Sequence, residues 1–117
     1  MNKLKFAIAA LLIALASSTS VQAHARLDHA SPAVGSTVGS SPGQVTLYFT
    51  ESLEPKFSGA EVRNSAGARV DTGHCASGNT LNVSVKGLAP GGYTVSWHVL
   101  SVDTHKTQGS FSFRVGK

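Results

Sequence analysis

Tyr93-Thr94-Val95-Ser96-Trp97-His98-Val99 and, further on, Ser110-Phe111-Ser112-Phe113-Arg114-Val115 decide the fold. Tyr93, Val95, Trp97 and Val99 alternate with polar partners, and so do Phe111, Phe113 and Val115. That period of two places every apolar side chain on one face of a strand. The same pattern recurs upstream in Val45, Leu47 and Phe49 and in Leu81, Val83 and Val85. Shorter extended pieces are expected at 25–30, 60–64 and 68–71, separated by turns such as Ser65-Ala66-Gly67 and Ser77-Gly78-Asn79. No segment after residue 23 sustains a helical period.

About seven short strands with regularly spaced turns predict an all-β, immunoglobulin-like Greek-key β-sandwich or barrel. Trp97 is expected to be its central plug. Leu88-Ala89-Pro90-Gly91-Gly92-Tyr93 has the form of a tyrosine corner, in which the ring packs inside and the hydroxyl ties the crossing loop to backbone. Residues 36–43 are rich in Gly, Ser and Pro and read as a loop.

The first residues have a different layout. Lys3 and Lys5 precede an apolar run over 6–16, then Ser17-Ser18-Thr19-Ser20 and the small-residue site Val21-Gln22-Ala23. This is the order of a secretory signal, so residues 1–23 are expected to be cleaved and residues 24–117 to form one exported domain. The run is shorter than the roughly 20 apolar residues that span a bilayer. Cleavage removes two of the 10 Lys and Arg and none of the 6 Asp and Glu, which lowers the formal charge from +4 to +2. The remaining cations are scattered singly, without the clustered basic face of nucleic-acid binders, so no nucleic-acid partner is expected. Cys75 is the only cysteine, which excludes an intrachain disulfide. Met1, the only methionine, leaves with the signal.

Cleavage after Ala23 would also bare the α-amine of His24. A terminal His chelates through its amine and its imidazole together. Asp103-Thr104-His105 offers a further oxygen and nitrogen; read as an extended segment, it directs Asp103 and His105 to one side and Thr104 to the other. Three nitrogens and one oxygen make the tetragonal N/O environment that copper(II) prefers, and copper(II) tops the divalent affinity order. Taken alone, an Asp-X-His triplet in a loop is common, and a surface histidine is usually only solvated. The fourth donor is open between Asp103 and water.

With these residues in view, the chain resembles the CopC-type periplasmic copper-binding proteins. His24-Ala25-Arg26-Leu27 followed by His29-Ala30-Ser31-Pro32-Ala33-Val34-Gly35 is similar to the opening of the mature family members. The segment from Tyr93 through Asp103-Thr104-His105, with Gly109-Ser110-Phe111-Ser112-Phe113, is similar to their closing hairpin. The resemblance implies an immunoglobulin-like sandwich, a periplasmic location, and a copper(II) site on His24, Asp103 and His105, one ion per mature chain. It also implies a role in copper homeostasis and resistance, with a CopD-like inner-membrane copper transporter or another copper-handling protein as partner. Where many members carry Gly between the Asp and the His, this chain has Thr104, with little consequence expected if the side chain points outward. Some members carry a Met-rich copper(I) site; a mature chain without methionine reads as a single-site, copper(II)-only, monomeric variant.

The other candidates are weaker. Cys75 beside His74 would make a soft site, but adjacent residues in a strand face opposite ways; a partly buried, inert thiol is the expectation, with an intermolecular disulfide the lesser alternative. His98 is expected on the outer face as an ordinary polar residue. His29, Glu51 and Glu54 are candidates to orient a metal-bound histidine, and His29 fits a solvated ring better. Capture and transfer of copper is the leading function. A copper-dependent oxidase gripping its ion through a terminal His is the rival from another class, disfavoured because Asp103 would close a coordination position that oxygen needs. A metal-free structural module is the third reading, for which a sandwich alone suffices.

Overall fold

The computed structural model describes residues 25–116. Eight strands form two four-stranded sheets. They are β1 (Leu27–Ser31), β2 (Thr37–Val38), β3 (Gln44–Phe49), β4 (Gly59–Asn64), β5 (Asp71–Ser77), β6 (Thr80–Val85), β7 (Gly91–Leu100) and β8 (Lys106–Val115). The first sheet has the order β1-β3-β6-β5 and the second β2-β8-β7-β4. The chain crosses between sheets after each of β1, β2, β3 and β4 and again after β6, so the two layers are interleaved in sequence. All pairings are antiparallel except β2 with β8.

The expected all-β sandwich is therefore observed, with eight strands instead of about seven. The extra one, β2, lies in the segment read as a loop; two residues are too few to show a period, and it forms because Thr37 and Val38 find Arg114 and Val115 beside them. The piece expected at 68–71 is displaced. Arg69 and Val70 only bridge to β4, and the strand proper begins at Asp71.

Register builds the core. Val45 faces Val83 and Leu47 faces Leu81 in one sheet, while Val62, Val95 and Phe111 form a row across the other. The six aliphatic residues in these rows are fully buried, with Phe49 and Phe113 at 1% exposure. Each such side chain contributes about 1.5–3 kcal/mol by leaving water, which a domain without disulfides needs.

Trp97 is not the central plug. It is only partly buried, meeting Phe49 edge-on at 5.0 Å between ring centroids. Its register partner is Gly109, where a Cβ would lie 2.7 Å from the indole Cζ2, so the ring lies across the glycine at the margin of the core. Phe49 and Phe113 fill the centre. The tyrosine corner is present: the Tyr93 hydroxyl donates to the Ala89 carbonyl at 2.6 Å. Among the described residues no helix is long and apolar enough to cross a membrane.

Candidate metal centre

Asp103 and His105 lie in the connection between β7 and β8, at one end of the sandwich. This segment is a tight turn and not the extended strand that the same-side argument assumed. The Thr104 N–H donates to the Ser101 carbonyl at 2.8 Å and the Ser101 N–H to the His105 carbonyl at 3.0 Å. The turn nevertheless brings both side chains together, with His105 Nδ1 3.3 Å from Asp103 Oδ1. Curvature does here what alternation would have done in a strand.

Thr104 makes that curvature possible and is strained by it. Its φ is +74°, the left-handed region, which L residues with a branched Cβ rarely occupy. Its side chain is exposed, as expected, but its backbone is where glycine fits best.

Ser101 organises the turn, a role that no local pattern announces. It is fully buried, bridged to Leu53 in antiparallel fashion, and Val102 donates to the Ser52 carbonyl at 3.0 Å. The Ser101 hydroxyl donates to Asp103 Oδ1 and accepts the His105 N–H at 3.3 Å. That hydroxyl, then the neighbouring His105, hold the Asp103 carboxyl below the usual carboxylate range against a smaller opposing effect of desolvation. A carboxylate kept ionised beside an imidazole is a pair of metal donors. Both remain reachable from solvent, at 39% exposure for the Asp103 side chain and 49% for that of His105.

His24 lies outside the described residues, as does the cleavage site at Ala23. Its neighbour Ala25 is described and is fully buried. The Ala25 carbonyl accepts a hydrogen bond from Thr107 Oγ1 at 2.8 Å, two residues past His105. Arg26 is clamped to the end of β3, its N–H donating to Thr50 Oγ1 and its carbonyl accepting from the Thr50 N–H, each at 2.9 Å. The first described residues are thus tied to the start of β8 and the end of β3, and one residue adds 3.8 Å of Cα reach. Among the described residues no three His, Cys, Asp or Glu side chains converge as a metal cluster. Among the described residues Asp103 and His105 are therefore a pair of donors, with Nδ1 and Oδ1 3.3 Å apart.

The lesser candidates are placed elsewhere. His29 stacks on Tyr48 at 4.3 Å between centroids and meets Asp28 Oδ2 at 2.7 Å through Nδ1, an exposed ring occupied by its own strand. Glu51 and Glu54 stand on the segment beside the turn, where the Glu54 N–H donates to the Leu100 carbonyl at 2.8 Å. Cys75 is exposed and not partly buried as expected, because β5 is an edge strand with little cover.

Comparison with known proteins agrees with this fold. The profile of the CopC domain matches residues 27–116. Protein YobA of Escherichia coli strain K12 is 38% identical over 119 residues, covering 97% of this chain and 95% of that protein. CopC from Methylosinus trichosporium OB3b superposes with a TM-score of 0.72 at 33% identity, over 80% of this chain and 94% of its own. PcoC from Escherichia coli, described as a methionine-rich copper resistance protein, gives 0.71 at 30% identity, over 80% and 99%.

Proposed function

The chain belongs to the CopC family, and from that premise we propose that it is a copper-handling protein that binds one copper(II) ion through His24, Asp103 and His105. It acts in the periplasm after removal of residues 1–23. It holds copper as cargo, keeps it from harmful reactions and passes it to a partner, for which a CopD-like inner-membrane transporter fits the family. It works as a monomeric binding protein and not as a catalyst.

The observation that carries this reading is the hydrogen bond from Thr107 Oγ1 to the Ala25 carbonyl. It fastens the residue after His24 next to the strand that begins beyond His105, so an amine and imidazole at position 24 need to cross little space. The donor chemistry favours copper(II): imidazole, amine and carboxylate suit the oxidised ion, whereas copper(I) prefers sulfur. PcoC is methionine-rich by description; this chain retains no methionine beyond Met1.

Mass spectrometry of the exported protein, followed by copper(II) titration, tests the reading. A mature chain beginning at His24 and one tight equivalent, lost in both His24→Ala and His105→Ala, is expected. A different N-terminus, or tight binding that survives both substitutions, would overturn it. Reductant-driven peroxide formation well above that of free copper would instead indicate an oxidase.

A further inference from the structure

We propose that His74 and His98 form a second, weaker copper site on the outer face of the β2-β8-β7-β4 sheet. The two sites share no residue, and this one goes beyond the function proposed above. The rings come from different sheets. His98 stands on β7 and His74 on β5, the edge strand of the opposite layer, which reaches round the corner where the chain passes from β4 to β5.

They converge over Gly59. Gly59 is the register partner of His98, and a Cβ built on it would lie 2.7 Å from His74 Nε2, 2.8 Å from His74 Cε1 and 3.2 Å from His98 Cε1. Any side chain at position 59 would occupy the space the rings use. With legs of 2.7 and 3.2 Å to one point, His74 Nε2 and His98 Cε1 are at most about 6 Å apart; two metal–nitrogen bonds of about 2.0–2.1 Å span up to about 4 Å, so ring rotation about the exposed side-chain torsions would bring both nitrogens to one ion.

The surroundings suit a cation. Both histidines are exposed, and neither ring has a hydrogen-bond partner among the described residues. A cavity of about 460 Å³ opens beside them, lined also by Glu61, Ser96, Trp97 and Gln108. Gln108 is directly across from His98 on β8, so its carboxamide oxygen shares that face, and Glu61 lies two residues along β4 from Gly59. The cation in the lining, Arg69, is neutralised by Asp71 Oδ2 at 2.7 Å and Glu61 Oε1 at 3.2 Å. Two imidazoles with the Gln108 carboxamide oxygen make a site for a borderline transition ion. Copper(II) binds such donors most tightly of the divalent series, and in a copper-handling protein it is the ion at hand.

The test is copper(II) titration of the mature chain, read by equivalents bound and by paramagnetic broadening of the histidine Cε1–H resonances. After the first equivalent, the second should broaden His74 and His98 together. His74→Ala and His98→Ala, both at exposed positions, should each weaken that second event at least about tenfold and leave the first unchanged. The proposal fails if no second equivalent binds, if it binds equally well in both variants, or if it broadens other resonances while these two stay sharp. His105→Ala separates the two sites, since it should remove the tight equivalent alone; failure of that result would count against the first site and not the second.

Discussion

At the residue scale, Thr104 is where the requirements of the Asp103–His105 turn and of the side chain conflict. A branched residue held at φ +74° carries about 1–2 kcal/mol of left-handed strain. Replacing it with glycine relieves that strain and loosens the unfolded chain by about 0.5–1 kcal/mol. Thr104→Gly is therefore expected to stabilise the domain by roughly 0.5–1 kcal/mol, or a few degrees in melting temperature. A melting temperature that falls would show that the Thr104 hydroxyl, bonded to the Asp103 carbonyl, outweighs the strain. The same turn shows what sequence reveals about a site. Asp103 and His105 are legible because their chemistry is unusual at that spacing, although strand alternation was the wrong reason for their convergence. Ser101 and Thr107 were not legible: a serine and a threonine in a β-rich chain carry no signal, and their roles depend on tertiary neighbours, Leu53 and Ala25.

At the element scale, the corner between β4 and β5 rests on one carboxylate. The Asp71 side chain is only 4% exposed and accepts from the Val62 N–H at 2.9 Å and from Arg69 at 2.7 and 3.2 Å. Burial alone would raise its pKa; the bonds from Arg69 and from backbone outweigh it and bring the net shift below the ordinary value. Asp71→Ala should destabilise the domain by about 1–3 kcal/mol by leaving a shielded N–H without an acceptor, and Asp71→Asn should restore part of this by keeping an oxygen there. Urea midpoints of the three proteins decide it; equal midpoints would refute the role. Tyr93→Phe, which removes only the bond to Ala89, should lose about 1 kcal/mol. The corner tyrosine was legible because Pro90 and Gly91-Gly92 mark the turn before it. The course of β5 was not, because Thr72, Gly73, His74 and Cys75 are all exposed and an edge strand without an alternating face leaves no period to read. The His74–His98 convergence was hidden for the same reason: it is made by the crossing between sheets, which no local pattern records.

At the scale of the whole molecule, acid should separate copper release from unfolding. Asp103 and Asp71 both have depressed pKa values, so each carboxylate stays ionised below the ordinary Asp value of about 3.9. A depressed folded-state pKa gives stability that is present above the unfolded value and is lost as pH falls through the folded one. The contribution of Asp71 to the β4–β5 corner therefore persists to below about pH 4. Copper coordination at the proposed site would depend on an imidazole and an α-amine as well, classes that ordinarily take up protons near 6.5 and about 7.7–8.0. Bound copper pushes both transitions lower, yet proton competition for nitrogen still begins before the carboxylates are neutralised. The visible absorbance of copper(II) should thus fall at a higher pH than the near-ultraviolet circular dichroism of Trp97 and Tyr93, and return on neutralisation without a refolding step. If the two signals collapsed together, the ion would be part of what holds the sandwich closed and not a cargo at its rim. The buried rows of Val45, Leu47, Val62, Leu81, Val83 and Val95 argue for the separated order, since nothing in that core depends on the turn being loaded.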